Sequence, residues 1–398
     1  MRKFLLRSHL ASGRRRRLLG VAVCGLTLLA AQAGCFGLRP PLAADDSPSP
    51  FFVAPYLVTV GSEAIEIRWW PREAFRIPQL RFSTKDAPPK ILEAREQDGV
   101  LSVPLPWRCA DGTQRHYQVA GLETPRPLLL PPCPVVGTAR FALWSDTQED
   151  GKYLLGAAEI IAAFEPDFVL HGGDMVDRGS SEQQWVEVLD ATGRFGHRAV
   201  TVATLGNHER YYHRDFREFR RFFGDDERTW FRFSAGPVDV IVLDSEQSDE
   251  QLHGEQRQWL EETLAALAAA PEADHRWRLV LTHHSPLSSG LANAPYVRFG
   301  GSRRLRSDYL PLFESYGVDL VLSGHTHVYE RLEQRGITYL VSGTVSGFMG
   351  LMSDDHPASL FVAKARTVTT FEADSESLTL RTREIGGEII DEHRLLRR

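Results

Sequence analysis

The sequence predicts an α/β (α+β) fold preceded by a smaller all-β module. Two observations predict it. From residue 139 onward, short apolar strand-like runs alternate with segments of helical apolar spacing, which is the rhythm of strands covered by helices. Residues 51–134 carry strand-like runs only, broken at short intervals by Pro and Gly. The first 45 of the 398 residues fit neither pattern.

Taken in order, the chain opens with "MRKFLLRSHLASGRRRR" and "LLGVAVCGLTLLAAQAGC". A basic region, an apolar run and small residues near its end describe a secretory signal over 1–35. The run is short for a membrane span and is interrupted by Gly20, Gly25 and Gln32. "RRRLLG" resembles a twin-arginine export signal. "QAGC" ending at Cys35 resembles a lipoprotein cleavage box, with Gln32 where an aliphatic residue is usual. The expected location is therefore the bacterial periplasm or cell envelope, with a lipid on Cys35 as the candidate membrane attachment. Residues 36–50, including "PPLAADDSPSP", read as a linker.

Without the seven basic residues of the leader, 39 basic residues face 52 acidic ones, a net charge of −13. Such a surface excludes nucleic acid and anionic lipid as expected partners. Two of the four cysteines, Cys24 and Cys35, lie in the leader. Cys109 and Cys133 remain, and in an oxidising compartment they are expected to form a disulfide, the alternative being two buried thiols.

Residues 51–134 read as a small β-sandwich. "AIEIRWW" alternates, "LRFST" and "HYQVAGL" are short strands, and "PPCP" at 131–134 makes a stiff boundary. Trp69, Trp70 and Trp107 are expected in its core. The second domain is expected over 139–398. "RFALWSD", "DFVLHGGD", "AVTVATLGNHE", "VDVIVLDSE", "WRLVLTHHS" and "VDLVLSGHTH" read as its strands. "YLLGAAEIIAAF", "SSEQQWVEVLDATGRF" (capped by Ser180 or Ser181), "EQRQWLEETLAALAAA" and "YLPLFESYG" read as its helices. The C-terminal "TVTTFEADSESLTLRTREIGGEIIDEHRL" reads as closing hairpins.

The chemistry stands just after the strands, where α/β sheets build their ligand sites. Asp146 and Gln148 follow the first, Asp174 the second, and Asn207 with His208 the third. His283 and His284, then His325 and His327, follow later ones. A "GNH" or "GHxH" arises by accident in about one chain in fifty to one hundred of this length. Five such clusters in order are not accidental. Oxygen and imidazole donors without thiolate suit iron, manganese or zinc. Seven donors (Asp146, Gln148, Asp174, Asn207, His283, His325, His327) exceed the needs of one ion and fit two sharing Asp174. Only Asp146 and Asp174 are anionic, so two divalent ions would keep net positive charge. A site of that kind attracts phosphate and lowers the pKa of bound water.

These residues resemble the calcineurin-like metallophosphoesterase superfamily and, within it, the purple acid phosphatases. The motifs are D-x-(H/Q), GD, GNH(E/D), a strand-end histidine and GHxHxYER, covering 139 to about 340. The β module resembles the fibronectin-type domain of those phosphatases. The resemblance implies a double β-sheet sandwich flanked by helices, with a dinuclear site at one edge. It implies that Asp146, Gln148, Asp174 and His327 hold one ion and Asp174, Asn207, His283 and His325 the other. A metal-activated hydroxide would attack phosphorus, with His208 binding the phosphate or protonating the leaving oxygen.

The departures have consequences. Asp177 stands where the purple enzymes have a tyrosine ligand, so no iron–phenolate colour is expected. Gln148 replaces a histidine of many relatives with a neutral carbonyl donor, which makes the first site the weaker. "GDMVDRG" echoes the phosphoprotein phosphatases and makes Arg178 a candidate phosphate clamp. His283 is favoured over His284 as the ligand, leaving His284 either behind the ligands or facing substrate. Glu209, Tyr329, Glu330 and Arg331 read as supports of the site. Arg303, Arg304 and Arg306 form a basic turn, and His213, His253, His275 and His356 read as surface histidines. The expected function is an exported phosphomonoesterase acting on a phosphorylated small molecule. A phosphodiesterase or nucleotidase and a non-catalytic envelope binding protein are the alternatives.

Overall fold

A computed structural model describes residues 49–397, apart from 63, 86, 107, 135–136, 149–150, 211–215, 225–227, 247–253, 272, 291–300, 347 and 353–355. The expected leader, most of the linker, Trp107, His213 and His253 lie outside the described residues.

Before residue 130 the described chain is all strand apart from a short turn of helix at Glu73–Phe75. The strands are β1 (Phe51–Val60), β2 (Ala64–Pro71), β3 (Gln79–Thr84), β4 (Ala87–Glu93), β5 (Arg95–Gln97), β6 (Val100–Pro104), β7 (Arg115–Val119) and β8 (Arg126–Leu128). Strands and helices then alternate: β9 (Ala139–Trp144), α1 (Gly151–Phe164), β10 (Phe168–His171), α2 (Glu182–Gly196), β11 (Val200–Ala203), α3 (Asn207–Arg210) and α4 (Arg217–Phe223). Next come β12 (Phe231–Ala235), β13 (Val238–Val242), α5 (Glu255–Ala269), β14 (Trp277–Leu281), α6 (Leu310–Ser315) and β15 (Leu320–Ser323). The chain closes with β16 (Tyr329–Gln334), β17 (Ile337–Ser342), β18 (Ser359–Ala363), β19 (Thr367–Ala373), β20 (Ser377–Glu384) and β21 (Ile389–Leu396). Ser181 occupies the position before α2, but its hydroxyl makes no capping bond; its carbonyl accepts from Trp185 N at 3.2 Å instead.

Two large sheets form the sandwich. One has ten strands in the order β21-β20-β19-β9-β10-β11-β1-β2-β6-β5, the other seven in the order β12-β13-β14-β15-β17-β16-β18. Period-two alternation decides which side chain goes where. Phe141, Leu143, Phe168, Leu170, Val200 and Val202 turn inward to join Val240, Val242, Leu279, Leu281, Leu320 and Leu322 in one core. Their neighbours Ala142, Trp144 and Val169 turn outward under α1 and α2. Ile241, Val280 and Val321 pack in a third cluster with Leu260 and Leu264 of α5 and Phe313 of α6.

The N-terminal strands do not close on themselves. β1 pairs in parallel with β11, Val58 opposite Thr201, and β2, β6 and β5 extend the main sheet from there. Only β4-β3-β7-β8 form a separate small sheet. The sequence places a boundary at 131–134, yet the ten-stranded sheet takes strands from both sides of it. The physical reason is the open edge of β11, whose peptide groups need a partner, and β1, largely buried, supplies one. Trp69 is fully buried and Trp70 is half-buried. Cys109 and Cys133 form a disulfide.

Candidate metal centre

The parallel strands bring the motif residues to one edge. Trp144, His171 and Ala203 are in register across β9, β10 and β11, and Leu281 faces Leu322 across β14 and β15. The residues that follow each strand therefore emerge at the same level. The loops are then bound to one another: Asp146 N donates to Gly173 O (3.0 Å), Thr147 N to Asp174 O (2.9 Å) and Gly324 N to His283 O (3.0 Å).

The backbone at the candidate ligands is strained in a common way. Asp146, Asp174, His325 and His327 have φ of 53°, 52°, 71° and 54°, and they are four of the eight non-glycine residues with positive φ among those described. L-residues avoid this region, and its use concentrates where a side chain must be aimed. Glycines admit the close approach. A Cβ on Gly206 would stand 2.1 Å from Asp174 Oδ1, and one on Gly324 2.3 Å from Asp146 Oδ2.

Side-chain geometry brings the seven expected donor residues together around two groups. Asp146, Asp174 and His283 place one donor atom each within 4.8 Å of one another, and so do His283, His284 and His325. His283 Nε2 lies 3.2 Å from Asp174 Oδ2 and 3.2 Å from Asn207 Oδ1. His325 Nδ1 is 3.2 Å from the same nitrogen. His327 Nε2 is 3.3 Å from Asp146 Oδ1. The seventh donor residue, Gln148, reaches His327 Nε2 through its amide nitrogen at 3.0 Å. Of the adjacent histidines, His283 faces Asp174 and Asn207. His284 instead lies ring to ring with His325 at 3.9 Å, its Nε2 3.4 Å from Glu246 Oε1.

These donors fit metal ions. His283 Nδ1–H donates to Gly172 O and His327 Nδ1–H to Phe348 O, both at 2.8 Å, which turns each Nε2 toward the cluster. Outer carbonyls holding the far ring nitrogen are how proteins orient metal-binding imidazoles. Gln148 Oε1 is buried and makes no hydrogen bond, which leaves it an unused acceptor beside the cluster. Electrostatics agree. Burial opposes charge on His283, but Asp174, Asp146 and Glu246 outweigh it and push the imidazole up to about 10. Burial likewise opposes ionisation of Asp174, yet His283, His208 and His325 hold it well below the usual carboxylate range. Burial, then His283, pushes His284 down to about 3. The cluster favours one concentrated positive charge at its centre.

His208 sits beside the donors. Its Nδ1 donates to Asp177 O at 2.8 Å, and its Nε2 is 3.9 Å from Asp174 Oδ2. Arg178 is mostly exposed at the rim, with Nε 3.6 Å from Asp177 Oδ2. Glu209 supports the turn, its carboxylate accepting from Asp174 N (3.0 Å), Met175 N (2.6 Å) and Gly206 N (2.7 Å). Glu330 accepts from Ser288, Ser289 N and Ser289 Oγ, while Tyr329 and Arg331 bind Asp391. Arg306 donates to Pro286 O (2.9 Å), which ties the basic turn to the loop after His284. His356 is half-buried, its backbone N donating to Ser289 Oγ.

Two residues at the site were not singled out from sequence. Glu246 follows β13 in the same way that the other ligands follow their strands, and burial pushes its carboxyl up to about 7. His171, the last residue of β10, accepts from Gly173 N (3.2 Å) and pairs with Thr147 Oγ1 (3.1 Å), joining two ligand loops. The strand-end rule could have found the first; nothing in the sequence marks the second.

Residues 139–329 match the calcineurin-like phosphoesterase family. That segment, just under half of the chain, is similar to the family. It is 29% identical over 215 residues to an uncharacterized protein of Mycobacterium tuberculosis, covering 46% of this chain and 39% of the relative. It is 28% identical over 183 residues to Fe(3+)-Zn(2+) purple acid phosphatase 12 of Arabidopsis thaliana, covering 42% of this chain and 37% of that one. The chain thus spans well under half the length of these curated relatives. A purple acid phosphatase from yellow lupin (Lupinus luteus) seeds superposes with a TM-score of 0.73 at 16% identity, over 86% of this chain and 74% of the other. That likeness includes the N-terminal strands, and it shows the shared double-sheet fold. Asp177, on the loop after Asp174, is turned to His208 and Arg178.

Proposed function

We propose that this chain is an exported, two-metal phosphoester hydrolase whose most direct substrates are small phosphomonoesters. The observation that carries the reading is the convergence of Asp146, Asp174, Asn207, His283, His325 and His327 at one sheet edge beside His208. Asp146, Gln148, Asp174 and His327 would hold one ion, and Asp174, Asn207, His283 and His325 the other. Iron, manganese and zinc suit these donors, and the Arabidopsis relative is named for iron and zinc. When bound, such ions supply an activated water and positive charge for phosphoryl oxygens.

The protein's own groups do the rest. The Gly172 and Phe348 carbonyls fix the imidazole orientations. His208, held through Nδ1, presents Nε2 on the Asp174 side, where it can bind a phosphoryl oxygen or protonate the leaving oxygen. His284 and Arg178 are the further candidates for phosphate contact. The Cys109–Cys133 disulfide supports an oxidising, extracytoplasmic location. The leader supports the periplasm or envelope, with Cys35 the site of a lipid anchor.

Elemental analysis and hydrolysis of para-nitrophenyl phosphate and its bis ester, on wild type and Asp174→Asn, test this. Two metals per chain and turnover favouring the monoester are expected. The variant should lose metal and about three orders of magnitude or more in rate. Two bound metals with no hydrolysis of either ester would reject the reading in favour of a non-catalytic binding protein.

A further inference from the structure

We propose that Phe348, with nearby Leu351, forms an apolar platform at the rim of the metal centre, and that the organic group it receives from the substrate is a flat ring. The esters selected are then those of aryl or ring-bearing alcohols rather than of small aliphatic ones, a refinement that rests on the phosphoester hydrolase reading above. Phe348 is 65% exposed and Leu351 64%. A single apolar residue at a surface is ordinary and by itself implies no ligand. Position and fixation set this pair apart. The Phe348 ring lies 4.9 Å from the His327 imidazole and is tilted 43° to it. His327 Nε2 in turn is 3.3 Å from Asp146 Oδ1. The ring therefore stands against a candidate ligand while more than half of its residue's surface stays open.

The loop that carries Phe348 is fastened, before and after it, to the loops that carry the donors. Before it, Val345 N donates to Ser145 O (3.0 Å), Ser346 N to Asp146 O (3.2 Å) and Thr344 Oγ1 to the same Asp146 O (3.0 Å). Ser346 Oγ also binds Gln148 O. After it, Gly350 N donates to His327 O (3.0 Å), and Met352 bridges to Gly290. The Phe348 carbonyl itself holds His327 Nδ1. A Cβ on Gly350 would stand 1.9 Å from Thr326 O, so this close approach needs glycine. An apolar side chain on a loose loop can turn away from water; one whose backbone is tied at both ends stays where the ester would bind. Covering it with a substrate ring removes apolar surface from water and adds a stacking contact. Because the loop is already ordered, little further entropy is lost when the ring arrives. Stacking accepts any flat ring, so a phenol-type ester and a nucleoside monophosphate offer it the same chemistry. A polyol phosphate offers none.

The test compares wild type, Phe348→Ala, Phe348→Tyr and Leu351→Ser on phenyl phosphate, adenosine monophosphate and glycerol phosphate. Setting each variant against wild type on the same ester cancels the intrinsic reactivity of the leaving group. Phe348→Ala should lower kcat/KM on a ring-bearing ester about tenfold more than on glycerol phosphate, chiefly through KM. Phe348→Tyr should restore the difference, and Leu351→Ser should act in the same direction by a smaller factor. Whichever ring-bearing ester loses more identifies the source, aryl or nucleoside. Calorimetric binding of phenylphosphonate and methylphosphonate to the metal-loaded full-length protein measures the platform without turnover. Wild type should prefer the phenyl compound by about tenfold, and Phe348→Ala should remove that preference. Elemental analysis of the same samples should show equal metal in wild type and Phe348→Ala. Lost metal in that variant, or equal losses on all the esters, makes the residue a support of His327 and overturns the inference. Phenyl preference without hydrolysis of any ester rejects the phosphoesterase function alone, and hydrolysis without phenyl preference rejects this inference alone.

Discussion

At the scale of single residues, His208 is the sharpest case. Its ring is fixed by the Asp177 carbonyl and lies against Asp174 without occupying a ligand position of its own. Removing it should therefore cost rate and not metal. His208→Ala is expected to lower kcat by about a hundredfold to ten-thousandfold, with unchanged metal content by elemental analysis. Loss of rate and metal together would make it a structural residue. The four left-handed ligand positions argue in the same direction. Asp146, Asp174, His325 and His327 hold a conformation that costs about 1–3 kcal/mol each. The surrounding hydrogen bonds, such as those of Glu209 at the Asp174 turn, hold them there.

At the scale of elements, β2 and α4 are joined by one buried guanidinium. Arg68 Nη1 donates to the Arg220 and Arg221 carbonyls at the end of α4, 2.9 Å each, and Arg68 Nε binds Glu66 at 2.9 Å. Both side chains are almost wholly buried. Tyr56 OH adds a bond from β1 to Phe222 O at 2.8 Å. Free helix-end carbonyls need donors, and here the N-terminal strands supply them. Arg68→Ala leaves Glu66 buried without its cation, and about 3–5 kcal/mol of stability should be lost in denaturant unfolding. A loss under 1 kcal/mol would show that the clamp is dispensable.

At the scale of the molecule, the sheet continuity through β1 and β11 makes the two sequence regions one folding unit, and the described residues from Ser49 onward form one compact body. Residues 139–398 alone would expose the edge of β11 and the apolar surface that β1 covers. That fragment is expected to aggregate or to unfold without a cooperative transition. A monomeric, cooperatively melting fragment by gel filtration and calorimetry would show that the N-terminal strands are an accessory.

The sequence by itself determined the α/β order, the all-β character of residues 51–134, and the donor types after each strand. These are local properties: alternation, helical spacing and short motifs are written in neighbouring residues. Residues such as Asp146 and His325 were legible because a chemistry-bearing side chain directly after an apolar strand has few packing explanations. Only the tertiary structure decided where β1 pairs, because an edge partner some 140 residues away leaves no periodic mark on either strand. It also decided that His283 faces Asp174 while His284 faces Glu246, since one residue of rotation at a strand end selects the neighbour. And it alone placed His171 behind two ligand loops and set the Gln148 amide against His327, contacts made between segments that the sheet brings into register.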